Sequence, residues 1–370
     1  MQPIFPTVGI VGTGAMGRGI AQMAVQAGSQ VLLFDLLPGA AEAARAALAD
    51  TWQKLVVKNK LTPEMQAAYL ARVSLASAVT GLAPCALVVE AIVEKLDVKQ
   101  RLFAELEAVV APQAVLATNT SSLSVTAIGA ALQRPAQLAG FHFFNPVPLM
   151  RVVEVIAGLK TSPVVCQQLT DYARQFGHTP VSAQDTPGFI VNHAGRGYGT
   201  EALRVVGERV ADFATIDRIL KDQMGFKLGP FELMDLTALD VSHPVMESIY
   251  RQYYEEPRYR PSVITAQRLA GGVVGKKVGE GFYAYDKGVA QVPAEPPVPS
   301  VASMPPVWVS PKAARRPEIY QLLKNLGASI ETAAAPSSAA LILVAPLGLD
   351  VTTLAAVERL DPSRTVGIDM

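Results

Sequence analysis

From Thr7 to about Val181 the chain alternates short β-branched apolar runs with stretches of helical periodicity. The runs are VGIV at 8–11, VLLF at 31–34, LVVEAI at 87–92, VLAT at 115–118, LAGFHF at 138–143 and VVEVI at 152–156. Runs this apolar are strands covered on both faces, and their alternation with helices predicts a mostly parallel, doubly wound sheet. After Asp185-Thr186-Pro187-Gly188 the rhythm changes to long helical patterns over about 188–270, which predicts a second, all-α domain. Lys287 to Pro317 holds eight of the chain's 27 prolines and lacks periodicity in its first half, so it reads as an extended linker. An α/β pattern then resumes with VWVS at 307–310, a helix around 317–326, LILVA at 341–345 and TVGI at 365–368. The expected division is a sheet domain over 1–185, a helical domain over 186–286, a Pro-rich linker over 287–305 and a partial α/β module over 306–370.

Composition narrows the function classes. Half of the 370 residues are hydrophobic and 17% are charged, which excludes a disordered chain. Thirty-two Lys and Arg balance 32 Asp and Glu, so no global field recruits nucleic acid or an anionic membrane, and any phosphate must be bound locally. Two cysteines, Cys85 and Cys166, build neither a disulfide framework nor a metal cluster, and that usage fits a reducing cytoplasm. The start MQPIFPTVGI lacks the charged and apolar regions of a signal peptide, and no run approaches a membrane span. No HExxH, CxxC, EF-hand or serine hydrolase elbow occurs, so no metal is expected.

The strongest local motif is Gly12-Thr13-Gly14-Ala15-Met16-Gly17, which follows an apolar strand and opens a helical stretch. The first glycine permits a tight turn, the second a close approach of backbone to a pyrophosphate, and the third the packing of helix on strand. Asp35 closes the next strand, 18 residues after Gly17, where a carboxylate can accept both ribose hydroxyls. Leu36 and Leu37 after it offer no cation for a 2′-phosphate, which favours NAD over NADP.

His142 and Glu154 each interrupt an apolar strand, 12 residues apart, with a turn predicted between. A buried glutamate needs a partner, and such a pair suits proton abstraction from an alcohol, because the carboxylate fixes the imidazole tautomer and stabilises the imidazolium. Taken alone, a satisfied core histidine beside an edge-strand glutamate is the commoner meaning. Ser121, in Asn119-Thr120-Ser121-Ser122, lies at a strand-to-helix junction where ligands bind in open α/β folds, and one of Thr120, Ser121 and Ser122 is expected to cap the helix. Asn192 on the first turns of the helical domain either faces the cleft or is an ordinary surface residue. His178, His193 and His243 read as structural.

Six strings, VVEAIVEKLDVKQRLFAEL, NTSSLSVTAIG, GFHFFNPVPLMRVVEVI, DTPGFIVN, LGPFELMDLTALD and GKKVGEGFYAY, resemble the NAD-dependent L-3-hydroxyacyl-CoA dehydrogenase family in the family's order, over about residues 7–286. The resemblance implies a Rossmann-like doubly wound sheet followed by an all-α domain that forms a homodimer, and the reversible oxidation of a 3-hydroxyacyl-CoA; the residue pattern adds a small α/β tail beyond. By the resemblance, His142 is the general base, Glu154 its orienting carboxylate, and Ser121 and Asn192 the groups that contact the substrate. Gly12, Gly14, Met16, Gly17, Asp35, Glu90, Lys95, Asn145 and Lys277 fall at positions that bind NAD or shape its site. Thr51, Lys54, Lys58 and Lys60 fall on a helical arm expected to meet the CoA phosphates, although a solvated face explains those lysines equally well. The alternatives are a non-catalytic NAD-binding relative and a reductase of other β-hydroxy acids, which would centre on a lysine where this chain has Asn192.

Two features depart from the family pattern. The run His193-Ala194-Gly195-Arg196-Gly197-Tyr198-Gly199 is rich in glycine, at roughly 1 kcal/mol per glycine in a helix unless close packing or ligand space compensates. Arg196, one turn beyond Asn192, is placed to meet an acidic acyl end. The tail beyond Lys287 resembles the longer bacterial enzymes of aromatic-acid breakdown, including 3-hydroxyadipyl-CoA dehydrogenases. It carries no glycine loop, so no nucleotide is expected there, and the apolar run ending near Met370 with no helix over it suggests a fragment of a longer protein.

Overall fold

The computed structural model describes residues 2–295, 297 and 300–368. In chain order β1 (Thr7–Val11), α1 (Ala15–Gln26), β2 (Gln30–Phe34), α2 (Ala40–Val57), α3 (Pro63–Ala71), β3 (Val73–Leu75), β4 (Leu87–Glu90), α4 (Leu96–Val109), β5 (Val115–Thr118), α5 (Val125–Gly129), β6 (Leu138–Phe143), β7 (Val152–Ala157), α6 (Pro163–Gln175) and β8 (Thr179–Gln184) form an eight-stranded layer and its covering helices. The strand order is β3-β2-β1-β4-β5-β6-β7-β8. Neighbours are parallel except β6 and β7, which are antiparallel. Residues 144–151 between those two strands are too few for a parallel crossover, so the chain turns back on itself. Ile10, Leu33, Trp52, Phe141, Phe143 and Tyr172 fill one face of the sheet, and Val88, Phe103, Leu116, Ile128 and Ile156 the other. Side chains alternate along a strand, so His142 leaves the face that Phe141 and Phe143 bury and emerges on the opposite one.

The helical region runs α7 (Val191–Ala194), α8 (Arg196–Gly207), α9 (Phe213–Asp222), α10 (Pro230–Thr237), α11 (Leu239–Gln252) and α12 (Val263–Ala270), then a hairpin of β9 (Tyr285–Asp286) and β10 (Val289–Ala290). Leu203, Phe231, Leu239, Met246, Phe282 and Tyr283 form its core. Two buried carboxylates pin it: Asp217 accepts the Phe231 and Glu232 N–H groups and the Tyr283 hydroxyl, and Asp235 accepts the Phe282 and Tyr283 N–H groups and the Tyr285 hydroxyl.

The chain divides into two compact units, Met1–Val292 and Pro293–Met370. The sheet and the helical region thus belong to one unit. Residues 287–291, expected as the start of a linker, instead close the β9–β10 hairpin, with the Gln291 N–H donating to the Ala284 carbonyl. Pro296, Val298 and Pro299 of the expected linker lie outside the described residues. In the second unit β11 (Val307–Val309), α13 (Arg316–Asn325), β12 (Ile330–Glu331), β13 (Leu341–Val344), α14 (Val351–Glu358) and β14 (Thr365–Gly367) form a parallel sheet in the order β12-β11-β13-β14. The helix α14, unforeseen from the pattern, packs Val351 against Gly367 of β14, while Val366 of that strand stays exposed. The expectation of a fragment rested on the run Thr365 to Ile368, and Asp369 and Met370 beyond it lie outside the described residues.

Candidate active site

The glycine turn between β1 and α1 is built by steric exclusion. Gly12 has φ +88°, and a Cβ there would lie 2.5 Å from the Ala91 carbonyl oxygen. A Cβ on Gly17 would collide with the Gly12 carbonyl oxygen. Gly14 differs: a Cβ there has nothing within 4 Å, so the turn leaves open space where α1 begins, and no side chain caps that helix end. Unpaired N–H groups facing open space fit a dinucleotide's pyrophosphate. Met16 lies in the first turn and is half-buried against the core. Asp35 accepts the Thr13 N–H at 2.7 Å, the Thr13 hydroxyl at 2.8 Å and the Leu37 N–H at 3.0 Å. Burial opposes its ionisation, but these donors hold its carboxyl below the usual range.

His142 and Glu154 stand directly opposite each other on β6 and β7, and His142 Nδ1 lies 2.6 Å from Glu154 Oε2. Both are buried, at 4% and 0% exposure. The other carboxylate oxygen accepts the Ile190 and Val191 N–H groups at 2.9 and 2.8 Å, so one glutamate holds both the imidazole and the start of α7. Burial pushes the Glu154 carboxyl up, and the His142 ring with the Val191 and Ile190 N–H groups more than reverses it. Phe189, at φ +50°, turns the chain so that those N–H groups meet Glu154, and its ring packs 5.7 Å from the His142 ring.

Asn192 on α7 reaches the same place from the helical side, its side-chain amide donating to the Ser121 carbonyl at 3.3 Å. Ser121 sits in a loop gathered by Glu94. Glu94 Oε1 accepts the Thr120 hydroxyl at 2.6 Å, the Ser121 N–H at 2.8 Å, the Ser122 N–H at 3.0 Å and the Ser122 hydroxyl at 3.1 Å. Its other oxygen is 3.2 Å from the buried Lys99 ammonium. Burial opposes ionisation there too, but Lys99, Thr120 and Ser121 hold the carboxyl low. Glu94 and Lys99 escaped the sequence reading, which singled out Glu90 and Lys95 in the same string. Glu90 is fully buried and bonded to Lys99 Nζ at 2.5 Å, the Thr118 hydroxyl at 2.7 Å and the Ile92 N–H at 2.7 Å. The cap of α5 is Ser124, not one of residues 120–122, and Asp185 reinforces it by accepting the Val125 and Thr126 N–H groups.

The remaining candidates are exposed or have local partners of their own. Lys95 and Asn145 are exposed where the chain leaves β4 and β6. Lys277 pairs with Asp240 of α11. The Thr51 hydroxyl donates to the Ala47 carbonyl within α2, Lys54 pairs with Asp50, and Lys58 is exposed at the helix end. His193, read as structural, lies between the Tyr253 and Tyr259 hydroxyls at 2.8 and 3.3 Å. Arg196 Nε donates to the Asn192 carbonyl at 3.4 Å, and burial lowers the guanidinium's pKa.

Among the described residues no helix is long and apolar enough to cross a membrane, and no cluster of His, Cys, Asp and Glu is arranged to hold a metal. Family models for the 3-hydroxyacyl-CoA dehydrogenase NAD binding domain and C-terminal domain match residues 7–186 and 188–285. The chain is 43% identical over 280 residues to the 3-hydroxyadipyl-CoA dehydrogenase of Escherichia coli (strain K12), covering 75% of this chain and 58% of that protein's length. It is 40% identical over 277 residues to a probable 3-hydroxybutyryl-CoA dehydrogenase of Deinococcus radiodurans, covering 75% of this chain and 99% of that protein. The solved (S)-3-hydroxybutyryl-CoA dehydrogenase of Ralstonia eutropha aligns with a TM-score of 0.73 at 35% identity, over 76% of this chain and 99% of that one. A solved 3-hydroxybutyryl-CoA dehydrogenase of Escherichia coli K12 aligns with a TM-score of 0.79 at 33% identity, over 98% of this chain and 80% of that one.

Proposed function

The chain belongs to the 3-hydroxyacyl-CoA dehydrogenase family, and on that premise we propose that it reversibly oxidises the hydroxyl of a 3-hydroxyacyl-CoA to the ketone with NAD, His142 acting as general base. The observation that carries this reading is the 2.6 Å contact of His142 Nδ1 with the buried Glu154 carboxylate, which leaves Nε2 for the substrate hydroxyl. An ionised Glu154 keeps the proton on Nδ1 and stabilises the imidazolium that forms. Ser121 and Asn192, already in contact, hold the substrate oxygens in line with the base. NAD, held by Gly12, Gly14, Met16, Gly17 and Asp35, supplies the hydride acceptor. Lys95, Asn145 and Lys277 border the cofactor, and Thr51 and Lys58 on the α2 arm meet the CoA phosphates.

Within the first unit, residues 1–185 carry the cofactor and 186–286 complete the substrate site and pair two copies into a homodimer. Exposed Ile219, Met224, Phe226, Leu233, Leu236 and Val241 in the helical region support that pairing. We place this activity in phenylacetate catabolism in the cytoplasm, a reducing compartment that the two free cysteines fit. The test is consumption of NADH on addition of acetoacetyl-CoA. Turnover is expected, and a folded protein that binds NADH yet leaves acetoacetyl-CoA unreduced overturns the reading.

A further inference from the structure

Arg196 is half-buried at the start of α8, and among the described residues no carboxylate lies within ion-pair distance of its guanidinium. A partly desolvated cation without a counter-ion is costly, and the chain keeps this one beside a substrate-contacting residue. Arg196 opens α8 just past the end of α7, which carries Asn192, and the 3.4 Å bond from Arg196 Nε to the Asn192 carbonyl folds the guanidinium back over the Asn192 turn. Asn192 in turn contacts the Ser121 loop. The glycines around Arg196 supply a second observation. Gly195 is a packing glycine, since a Cβ there would lie 2.8 Å from the Val191 carbonyl oxygen. Gly197 and Gly199 are not: a Cβ at either meets nothing within 4 Å. Gly199 is half-buried and, three residues beyond Arg196 on α8, lies on the face that carries Arg196. Gly197 and Gly199 are the second and fourth residues of α8, and no close contact demands glycine at either. They preserve room beside a cation.

We propose that Arg196 is a specificity-determining residue that pairs with a carboxylate at the far end of the acyl chain, so that the substrate class is the CoA thioester of a 3-hydroxydicarboxylic acid, with the space beside Gly199 receiving that end. The proposal rests on the dehydrogenase reading above and adds the identity of the acyl terminus. A guanidinium presents a planar fork that takes a carboxylate through two parallel hydrogen bonds. A methyl-ended chain in the same place would leave the cation desolvated and unpaired.

The test measures kcat/KM with NAD for two 3-hydroxyacyl-CoA thioesters of equal chain length, one ending in a carboxylate and one in a methyl group. The wild-type protein should favour the carboxylate-ended substrate, and Arg196→Met should lower the ratio of the two specificity constants about 30-fold, the size expected for losing a charge-assisted pair. Arg196→Lys, which keeps the charge and loses the fork, should fall between them. Gly199→Leu places its Cβ where no atom of the chain lies within 4 Å, and a variant with native circular dichroism should show a raised KM for the carboxylate-ended substrate. An unchanged ratio in Arg196→Met, equal losses on both substrates, or an unaffected KM in Gly199→Leu each overturn the proposal while the dehydrogenase reading stands. A wild-type protein that oxidises neither substrate overturns both.

Discussion

Glu154 does three things with two oxygens: it orients His142, holds the Ile190 and Val191 N–H groups, and supplies the negative charge that an imidazolium needs. A glutamine there can donate from its amide to His142 Nδ1, which would move the ring proton to Nε2 and remove the base from the substrate side. Glu154→Gln should therefore lower kcat by about 100-fold or more, and His142→Gln by a comparable factor, with NADH affinity by fluorescence titration unchanged in both. The same residue carries a pH signature. Its folded-state pKa is depressed, so the stability from the ionised form is present above the unfolded value, near pH 4.3, and is lost as the pH falls through the folded value. The melting temperature of the wild-type protein should drop more steeply below about pH 4.3 than that of Glu154→Gln. Parallel acid limbs would show that the Glu154 contacts do not bias its ionisation. Asp35 is also a shared residue, since one oxygen that would meet a ribose already ties down Thr13 of the glycine turn. Asp35→Ser should raise the KM for NAD and narrow the preference over NADP, as measured by kcat/KM with each cofactor.

At the level of elements, what the sequence announces follows burial. The six apolar runs of the large sheet are the strands flanked on both sides in the order β3-β2-β1-β4-β5-β6-β7-β8, where every residue must be apolar or paired. The two unannounced strands, β3 with VSL and β8 with TPVSAQ, are its edges, where polar residues and Pro180 are tolerated. The brief β12 escapes for the same reason, at an edge of the second sheet. His142 and Glu154 stood out because they break central strands. Glu94 did not, because apart from Lys99 its partners are N–H and hydroxyl groups of a loop 26 to 28 residues away, which no local pattern encodes, whereas Glu90 drew notice from its place in the apolar run and is paired with Lys99, Thr118 and Ile92. The glycine turn is legible as a motif, and the structure separates its parts. Gly17→Ala must displace the Gly12 carbonyl and should cost several kcal/mol, read as a lower midpoint of denaturant unfolding. Gly14→Ala meets no protein atom and should leave that midpoint near wild type while weakening NADH binding by about 10-fold or more. Equal effects of the two substitutions on unfolding would show that Gly14 is a packing glycine as well.

On the scale of the molecule, each of the two units has its own core, Leu203, Phe231 and Met246 adding to the sheet cores in the first, and Val307, Val309, Ile319 and Leu343 serving the second. The glycine turn, Asp35, His142, Glu154, Ser121 and Asn192 all belong to the first. The second repeats a parallel βα pattern without the chemistry: β11 is followed by Ser310-Pro311-Lys312-Ala313 rather than a glycine turn, and its Gly327 sits at a helix end with φ +71°. A chain ending at Val292 should thus fold and keep NAD-dependent turnover per site close to that of the whole chain. The cut belongs after Val292 and not at Lys287, because the earlier one removes β10 and the Gln291 bond that close the β9–β10 hairpin. Residues 293–370 alone should leave NADH fluorescence unchanged. A truncated chain with native circular dichroism and NADH binding but little turnover would mean that the second unit contributes to the active site, and a large fall in its melting temperature would mean that it contributes to the stability of the first.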